Sequence, residues 1–161
     1  MSDIVIQELI GFDEMVATLF PLINQSNPEI DRETFVLRLT AMLHEGGYRC
    51  IAAYRDGVAV GAAGFWIGTQ IWCGRYCEPD NVVVDREQRS GGIGGIMMSW
   101  IEDEARKAGC LMLKLETYSE RTRSRAFYRR EGYSEPGTVM IKTLPVPGAM
   151  TIEDVLAKGR R

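Results

Sequence analysis

The stretch VVVDREQRSGGIGGIM, from Val82 to Met97, carries the strongest structural signal of the chain. It opens with three consecutive valines, which favour a β-strand, and it closes on apolar residues at the spacing of an amphipathic helix. Between them, Gly91–Gly95 holds four glycines in five residues. Glycines at a strand-to-helix junction let backbone N–H groups point into one concavity, beside the positive end of the helix dipole. The stretch therefore predicts a phosphate-binding turn, to which Arg89 can add a charge-assisted bond.

Two well-known phosphate loops do not fit this turn. The dinucleotide fingerprint fails because Gly94 is followed three residues later by Met97, where the pattern needs a glycine. The P-loop fails because no Gly-Lys-Ser or Gly-Lys-Thr follows the glycines. Two alternatives stay open at this point: a nucleotide-binding enzyme that uses the same turn, and a turn that only allows close packing.

Outward from this stretch, hydrophobic periodicity predicts the element order β-α-α-β-β-β-α-β-α-β, a mixed α+β fold. Pro21 is expected to kink or end the first helix, and Asp31 to cap the second. Asp56-Gly57 predicts a hairpin turn, and a loop is expected over Cys73–Pro79. The predicted strands are Ile4–Ile6, Tyr48–Tyr54, Val58–Ile67, Asn81–Val84, Leu111–Leu115 and Val139–Leu144.

The composition limits the classes of protein to which this chain can belong. The chain has 161 residues, of which 45% are hydrophobic and 25% are charged, as in an ordinary globular domain, which excludes extended disorder. The net charge of −3 argues against a general nucleic-acid binder. No signal peptide or bilayer-long apolar run is visible, so we expect a cytoplasmic protein that does not bind membranes. The four cysteines form no CxxC pair and the single histidine is His44, so no metal site is predicted.

A second segment, RTRSRAFYRREGY from Arg121 to Tyr133, predicts a short arginine-rich helix that ends at Gly132. Residues three and four apart on a helix are neighbours. One face of this helix therefore carries Arg121, Ser124, Arg125 and Tyr128.

Together the two segments resemble the GNAT superfamily, the N-acetyltransferases that use acetyl-coenzyme A (acetyl-CoA). The family signature Arg/Gln-x-x-Gly-x-Gly/Ala is matched by Arg89-Ser90-Gly91-Gly92-Ile93-Gly94. The second family motif, Asn-x-x-Ala-x-x-x-Tyr-x-x-x-Gly-Phe, is matched at Tyr128, Gly132 and Tyr133. Ser124 stands for the small Ala, and Arg121 occupies the position of the Asn.

The resemblance implies an α+β fold of three layers, α/β/α, in which the fourth and fifth strands of a mixed central sheet splay apart. It runs in element order from about Ile4 to Leu144. It therefore predicts a GNAT domain over 1–144 and a C-terminal extension over 145–161, where Thr151 and Asp154 can cap a short helix. Because members of the family frequently dimerise, a homodimer is also expected.

The resemblance also assigns site residues by position. The pantetheine arm of the cofactor would lie beside the fourth strand, and its diphosphate would sit on the turn. Tyr128 would protonate the coenzyme A thiolate as it leaves. The implied cofactor contacts are Val82, Val83 and Val84 for the pantetheine arm, Arg89, Ser90, Gly91, Gly92, Ile93, Gly94 and Gly95 for the diphosphate, and Arg121 and Ser124 on the second motif.

The implied reaction moves an acetyl group from acetyl-CoA to a primary amine by direct attack in a ternary complex. The acceptor, a small molecule or a peptide, would be protonated at neutral pH if its pKa is lysine-like, ~10.4, so a base is needed. Glu78, eleven residues before Arg89, stands where some family members carry a base. Glu116, expected at the end of the fifth strand, and water are the rivals. A different class of function, a catalytically silent coenzyme A-binding module acting through a partner, is the alternative.

Overall fold

The computed structural model describes residues 3–160 of the chain. The chain divides into two compact units, residues 1–115 and 116–161. Among the described residues, the first contains the β-sheet, three α-helices and a short 3-10 helix at Arg86–Gln88, and the second contains two shorter α-helices. The domain boundary expected after residue 144 stays a prediction.

A five-stranded sheet forms the centre of the first unit, and its strands follow one another in chain order. Neighbouring strands are antiparallel, except that the last two are parallel. The predicted hairpin at Asp56-Gly57 is confirmed, and both residues have positive φ, of 51° and 78°. The strands are β1 (Val5–Glu8), β2 (Tyr48–Arg55), β3 (Val58–Gln70), β4 (Gly74–Val84) and β5 (Met112–Leu113).

The helices of the first unit are α1 (Phe12–Asn24), α2 (Arg32–Glu45) and α3 (Ile93–Lys107), and those of the second are α4 (Thr122–Arg130) and α5 (Ile152–Gly159). The predicted cap of α2 is confirmed, because Asp31 accepts a hydrogen bond from the Thr34 backbone N–H at 2.7 Å. Thr151 and Asp154 form a reciprocal capping box at the start of α5. No helix within residues 3–160 is both long and apolar enough to cross a membrane.

Each face of the sheet buries its own apolar layer, because successive side chains of a strand point to opposite faces. On one face, Leu19 of α1 and Phe35 of α2 belong to the same buried cluster as Cys50 of β2. On the other face, Met97 of α3 packs in a cluster with Phe65 of β3. The order of layers, α1 and α2, then the sheet, then α3, confirms the three-layer α+β fold.

The parallel ladder between β4 and β5 is only two residue pairs long. Cys77 pairs with Leu113, and the Lys114 N–H donates to the Cys77 carbonyl at 3.0 Å. Alternate residues of a strand direct their backbone groups to the same edge, so the next β4 residue facing β5 is Pro79. Proline has no N–H to donate, and the ladder ends there. The expected splay of the fourth and fifth strands is confirmed.

Two elements extend further than the sequence predicts. α1 continues through Pro21 to Asn24 because Leu19 and Leu22, on either side of the proline, are buried, and this packing outweighs one missing helix hydrogen bond. β4 begins at Gly74, so the predicted loop over Cys73–Pro79 is wrong. Its residues pair with β3 instead, and this pairing supplies the backbone hydrogen bonds that a loop would leave to water.

Two other elements are shorter than predicted. β5 covers Met112–Leu113 rather than Leu111–Leu115, and its C-terminal end is set by Pro79, the next β4 residue that faces β5, which has no N–H to continue the ladder. The segment 139–144, predicted as the last strand, has no regular secondary structure. Val139 and Met140 there are exposed. The apolar pattern of this segment predicted a strand, but no strand or helix within residues 3–160 buries these side chains.

A close approach between neighbouring strands gives a test of this packing. Gly64 of β3 lies beneath the buried Tyr48 ring, and a Cβ at this position would be 2.3 Å from the Tyr48 Oη and 2.7 Å from ring carbons. We expect Gly64→Ala to lower the free energy of unfolding by ~1–3 kcal/mol, since the ring must shift. Gly137→Ala is the control, because its Cβ would meet no atom within 4 Å. Equal urea midpoints for wild type and Gly64→Ala would contradict the close approach.

Candidate active site

The glycine-rich turn forms the N-terminus of α3. Ser90 and the N-cap residue Gly92 both have left-handed φ, of 71° and 75°. No side chain within residues 3–160 caps this helix, so its first N–H groups, including those of Gly94 and Gly95, have no side-chain acceptor there. A Cβ added at Gly92 would meet no atom within 4 Å, so the turn opens outward at this point. These features suit a phosphate group, as the sequence predicts.

The base of the turn is held by the end of α1. Gln25, which follows α1, donates from its amide nitrogen to Asp85 Oδ2 at 2.8 Å and accepts from the Arg86 N–H at 3.2 Å. Asp85 also accepts from the Glu87 N–H at 2.9 Å. These hydrogen bonds, chiefly the one from Gln25, hold the pKa of Asp85 below its ordinary value. The chain between β4 and α3 therefore has a fixed position against α1.

β4 is irregular on both edges as it approaches the turn. Its ladder with β5 ends at Cys77, and its register with β3 shifts opposite Ala62–Gly64. At the same level Asn81 takes a positive φ of 50°. A bulge of this kind bends a strand and redirects its backbone groups. Val82–Val84, the predicted contacts of the pantetheine arm, lie between this bulge and the glycine turn, where β4 has no β5 partner in the described sheet.

Glu78, the predicted base, lies within β4 and not in a loop. It is opposite Trp66 in the β3–β4 ladder, on the sheet face covered by α1 and α2. Its Oε2 is 3.0 Å from Lys114 Nζ, and its side chain is 27% exposed. The same ammonium lies 4.4 Å from the centre of the Tyr76 ring. Glu78 therefore belongs to a polar cluster at the point where β4 and β5 separate.

Asp80 is a second carboxyl on this face, two residues further along β4. Burial raises the pKa of Asp80 above its ordinary value, although the Trp66 side chain and the Asn81 N–H donate hydrogen bonds that oppose the shift. The nearby Glu78 carboxylate raises the pKa of Asp80 further. A carboxyl with a raised pKa beside an open strand edge is a typical candidate for proton transfer.

The sequence analysis missed Asp80 because it placed this part of the chain in a loop. The alternation of Tyr76, Glu78 and Asp80 is the signal that could have identified it, since residues at spacing two share one face of a strand. Pro79 between the two carboxyls hid that signal, because proline within a run argues against a strand.

A cavity of about 150 Å³ lies between α1, α2 and the sheet, and Asn81, the residue after Asp80, is part of its wall. Its wall is mainly apolar and includes Phe35, while Tyr48 and Asn81 contribute from the sheet and Arg38 from α2. The Tyr48 ring lies 5.0 Å from the ring of Trp66, the residue whose side chain donates to Asp80. The cavity and the Asp80 carboxyl are thus connected through two adjacent aromatic side chains.

In the second unit, Tyr128 lies half-buried on α4. Its ring is 5.1 Å from the Phe127 ring and 5.7 Å from the Tyr133 ring. The Tyr133 N–H donates to the Tyr128 carbonyl at 3.0 Å, across the turn at Gly132, whose φ is 89°. Ser124 precedes Tyr128 by about one helical turn. These contacts give the Tyr128 ring a defined packing on its helix.

Arg121, where the family motif has Asn, makes its contacts within the second unit. It is the N-cap residue of α4, and its Nη2 donates to the Lys158 carbonyl at 2.9 Å. Its guanidinium also lies 5.2 Å from the centre of the Tyr118 ring. Arg121 therefore joins the start of α4 to α5.

Glu116, the rival base, is exposed and lies outside any strand. Its predicted place at the end of the fifth strand is wrong, because β5 ends at Leu113.

Comparison with known proteins identifies the family. The profile of the acetyltransferase (GNAT) family matches residues 16–133. The chain is 32% identical over 137 residues to IAA acetyltransferase of Azospirillum brasilense, which covers 85% of this chain and 81% of that protein. It is also 32% identical over 111 residues to aminoalkylphosphonate N-acetyltransferase of Salmonella typhimurium, covering 66% of this chain and 70% of that protein.

Comparison with solved structures shows the same fold in other acetyltransferases. The aminoglycoside N-acetyltransferase AAC(6')-Iy, in complex with the bisubstrate analogue CoA-S-monomethyl-acetylneamine, aligns with a TM-score of 0.77 at 18% identity, over 88% of this chain and 97% of that one. Glucosamine-6-phosphate N-acetyltransferase from Arabidopsis thaliana aligns with a TM-score of 0.69 at 19% identity, over 87% and 97%. The profile match and the sequence identity to named acetyltransferases establish that this chain belongs to the acetyltransferase (GNAT) family and is an acyltransferase.

Proposed function

We propose that this enzyme transfers an acetyl group from acetyl-CoA to the primary amine of a small molecule, by direct attack in a ternary complex. The observation that carries the proposal is the arrangement along β4. Within eighteen residues, Glu78–Gly95, the chain presents two carboxyls on one face of β4, Glu78 and Asp80, then a strand edge without a β5 partner in the described sheet and an uncapped helix N-terminus. These are the parts that proton removal from an amine, alignment of a thioester and binding of a phosphate require.

The residues present fit the cofactor. The uncapped N–H groups at Gly92–Gly95 would hold its diphosphate, and the open edge at Val82–Val84 would bind its pantetheine arm through backbone groups. When bound, acetyl-CoA supplies the activated acyl group. A backbone N–H of the open edge would then stabilise negative charge on the thioester oxygen. Ser124 stays a proposed contact from the second motif, and Arg121 does also, although its Nη2 donates to the Lys158 carbonyl.

We assign removal of the amine proton to Asp80, with Glu78 as the alternative base. Asp80 has the raised pKa, which makes it a better proton acceptor near neutral pH than an ordinary aspartate. Glu78 is paired with Lys114 at 3.0 Å, and this contact suits a role in placing the acceptor. Tyr128 would donate a proton to the departing thiolate.

The acceptor would enter from the α1 and α2 side of the sheet. The cavity of about 150 Å³ can take a small apolar group, and it lies next to the residues that surround Asp80. The relative from Salmonella typhimurium is named for a small amine, an aminoalkylphosphonate, which supports a small molecule over a peptide. A homodimer and a cytoplasmic location stay predictions from the sequence, which sedimentation and cell fractionation would check.

Replacing the N-cap glycine tests the cofactor assignment. Gly92→Val should weaken acetyl-CoA binding strongly, because its side chain would occupy the open side of the turn and its φ of 75° strains any L residue. Gly109→Val is the matched control: Gly109 has φ of 74°, has equally open surroundings and lies beyond the other end of α3. Calorimetric titration should show a large loss for Gly92→Val alone. Equal affinities for the two variants would contradict the assignment of the phosphate to this turn.

Removing one hydroxyl tests the proposed acid. Tyr128→Phe keeps the ring and its packing against Phe127 and Tyr133, and it should lower the turnover by ~10²-fold if proton delivery matters. Tyr133→Phe, which removes a hydroxyl from the neighbouring ring, is the control and should turn over like wild type. Thiol release is measured at saturating substrates, where chemistry limits the rate. Wild-type turnover by Tyr128→Phe would show that the ring is only structural.

The pH dependence of turnover distinguishes the bases. In the wild type, turnover should rise with pH through an ionisation above the ordinary aspartate value, because the pKa of Asp80 is raised. Asp80→Asn should lower turnover at neutral pH by ~10²-fold, and higher pH should partly restore it as more amine arrives deprotonated. Glu78→Gln should mainly raise KM for the acceptor, and Glu116→Gln should match wild type. If Glu78→Gln alone shows the pH rescue, Glu78 is the base instead.

A further inference from the structure

Arg55, at the end of β2, places a guanidinium directly beside the glycine-rich turn. Its Nη1 donates to Gln88 Oε1, on the residue that precedes Arg89. Its Nη2 lies 3.8 Å from the position that a Cβ would take at Gly91. Arg55 belongs to the strand before the Asp56-Gly57 hairpin and precedes Gln88 by more than thirty residues. The two side chains therefore meet only in the folded chain.

Among the residues that the structure describes, no carboxylate balances the charge of Arg55. Its Nε is buried and has no hydrogen-bond partner within residues 3–160, and no carboxylate of the described chain lies within ion-pairing distance of its guanidinium. Arg49, six residues earlier on the same strand, shows the usual solution. Its Nε and Nη2 bind the two oxygens of Glu8 at 2.7 and 2.8 Å. A partly buried guanidinium without an anion is unfavourable, and an anion bound at the turn would relieve this.

We propose that Arg55 is a diphosphate-affinity residue of the cofactor site, a fixed cation next to the turn whose charge strengthens the binding of the diphosphate by the turn amides. It positions the turn through Gln88, and its charge adds to that of the α3 N-terminus. Arg89, the cation expected from the sequence, is exposed and its Nε is directed back to the Val84 carbonyl at 3.3 Å. Arg55 is less accessible to solvent, so its field is less screened. This inference rests on the proposed use of acetyl-CoA.

The test compares ligands that differ in their phosphates. Arg55→Gln should weaken acetyl-CoA binding by roughly 10- to 100-fold in calorimetric titration, the range of a lost charge-assisted contact. It should weaken 3′-dephospho-CoA by the same factor, because that ligand keeps the diphosphate. The kcat/KM for S-acetylpantetheine, which lacks the diphosphate, should be unchanged, and this also shows that the variant is folded.

Three further variants separate charge from loop structure. Arg55→Lys keeps the charge and should recover most of the affinity, whereas Gln88→Ala removes the hydrogen bond and should lose only a few-fold. Arg32→Gln, at the exposed start of α2, makes the same change in net charge and should bind like wild type. The loss of affinity with added salt should be less steep for Arg55→Gln than for wild type.

The outcomes are distinct. If wild type does not bind acetyl-CoA, the proposed function fails, and this inference fails with it. If wild type binds but Arg55→Gln binds equally well, only the role of Arg55 is overturned. If Gln88→Ala reproduces the full loss and Arg55→Lys recovers nothing, Arg55 merely orders the turn, and the charge assignment is overturned as well.

Discussion

The parallel ladder between β4 and β5 ends where Pro79 has no N–H to offer, and the geometry of the site depends on that ending. Up to Cys77, β4 is an ordinary inner strand with a partner on each side. Beyond it, one edge of β4 is free of β5, while β3 still holds the other edge through the bulge at Asn81. A strand held on one edge only is both fixed in position and able to bind an extended ligand through its backbone.

The two faces of β4 differ: one carries ionisable side chains, and the other packs into the apolar core. Cys77 faces the apolar layer under α3, whereas Glu78 and Asp80 face the side of α1 and α2. This alternation sets the two carboxyls on the same sheet face as the cavity without disturbing the buried cluster opposite. It leaves Asp80 in a place where burial disfavours its charge, and a group kept in such an environment is more useful for proton transfer than for stability.

The glycine-rich turn depends on distant parts of the chain for its shape. Gln25 at the end of α1 holds Asp85 and Arg86, and Arg55 at the end of β2 holds Gln88, all of which lie just before the turn. Ser90 and Gly92 can then keep their left-handed φ values, since these hydrogen bonds fix the residues before them and α3 begins directly after Gly92. Glycine content makes such a turn possible, but these tertiary hydrogen bonds select one conformation from the many that glycine permits.

The sequence by itself determined the features that depend on local chemistry. The Asp31 cap, the Asp56-Gly57 hairpin and the glycine turn before α3 were all predicted, because capping, turn dihedrals and helix periodicity act over a few residues. Only the tertiary structure decided the extent of β4 and the places of Asp80 and Arg55. Pro79 taken with its neighbours favours a loop. The hydrogen bonds between β3 and β4 nevertheless keep the chain extended on both sides of Pro79. The alternation of Tyr76, Glu78 and Asp80 can place Asp80 on a strand face, but its burial depends on the folded chain around it. Arg55 matters because of its contact with Gln88, which lies thirty-three residues later in the chain.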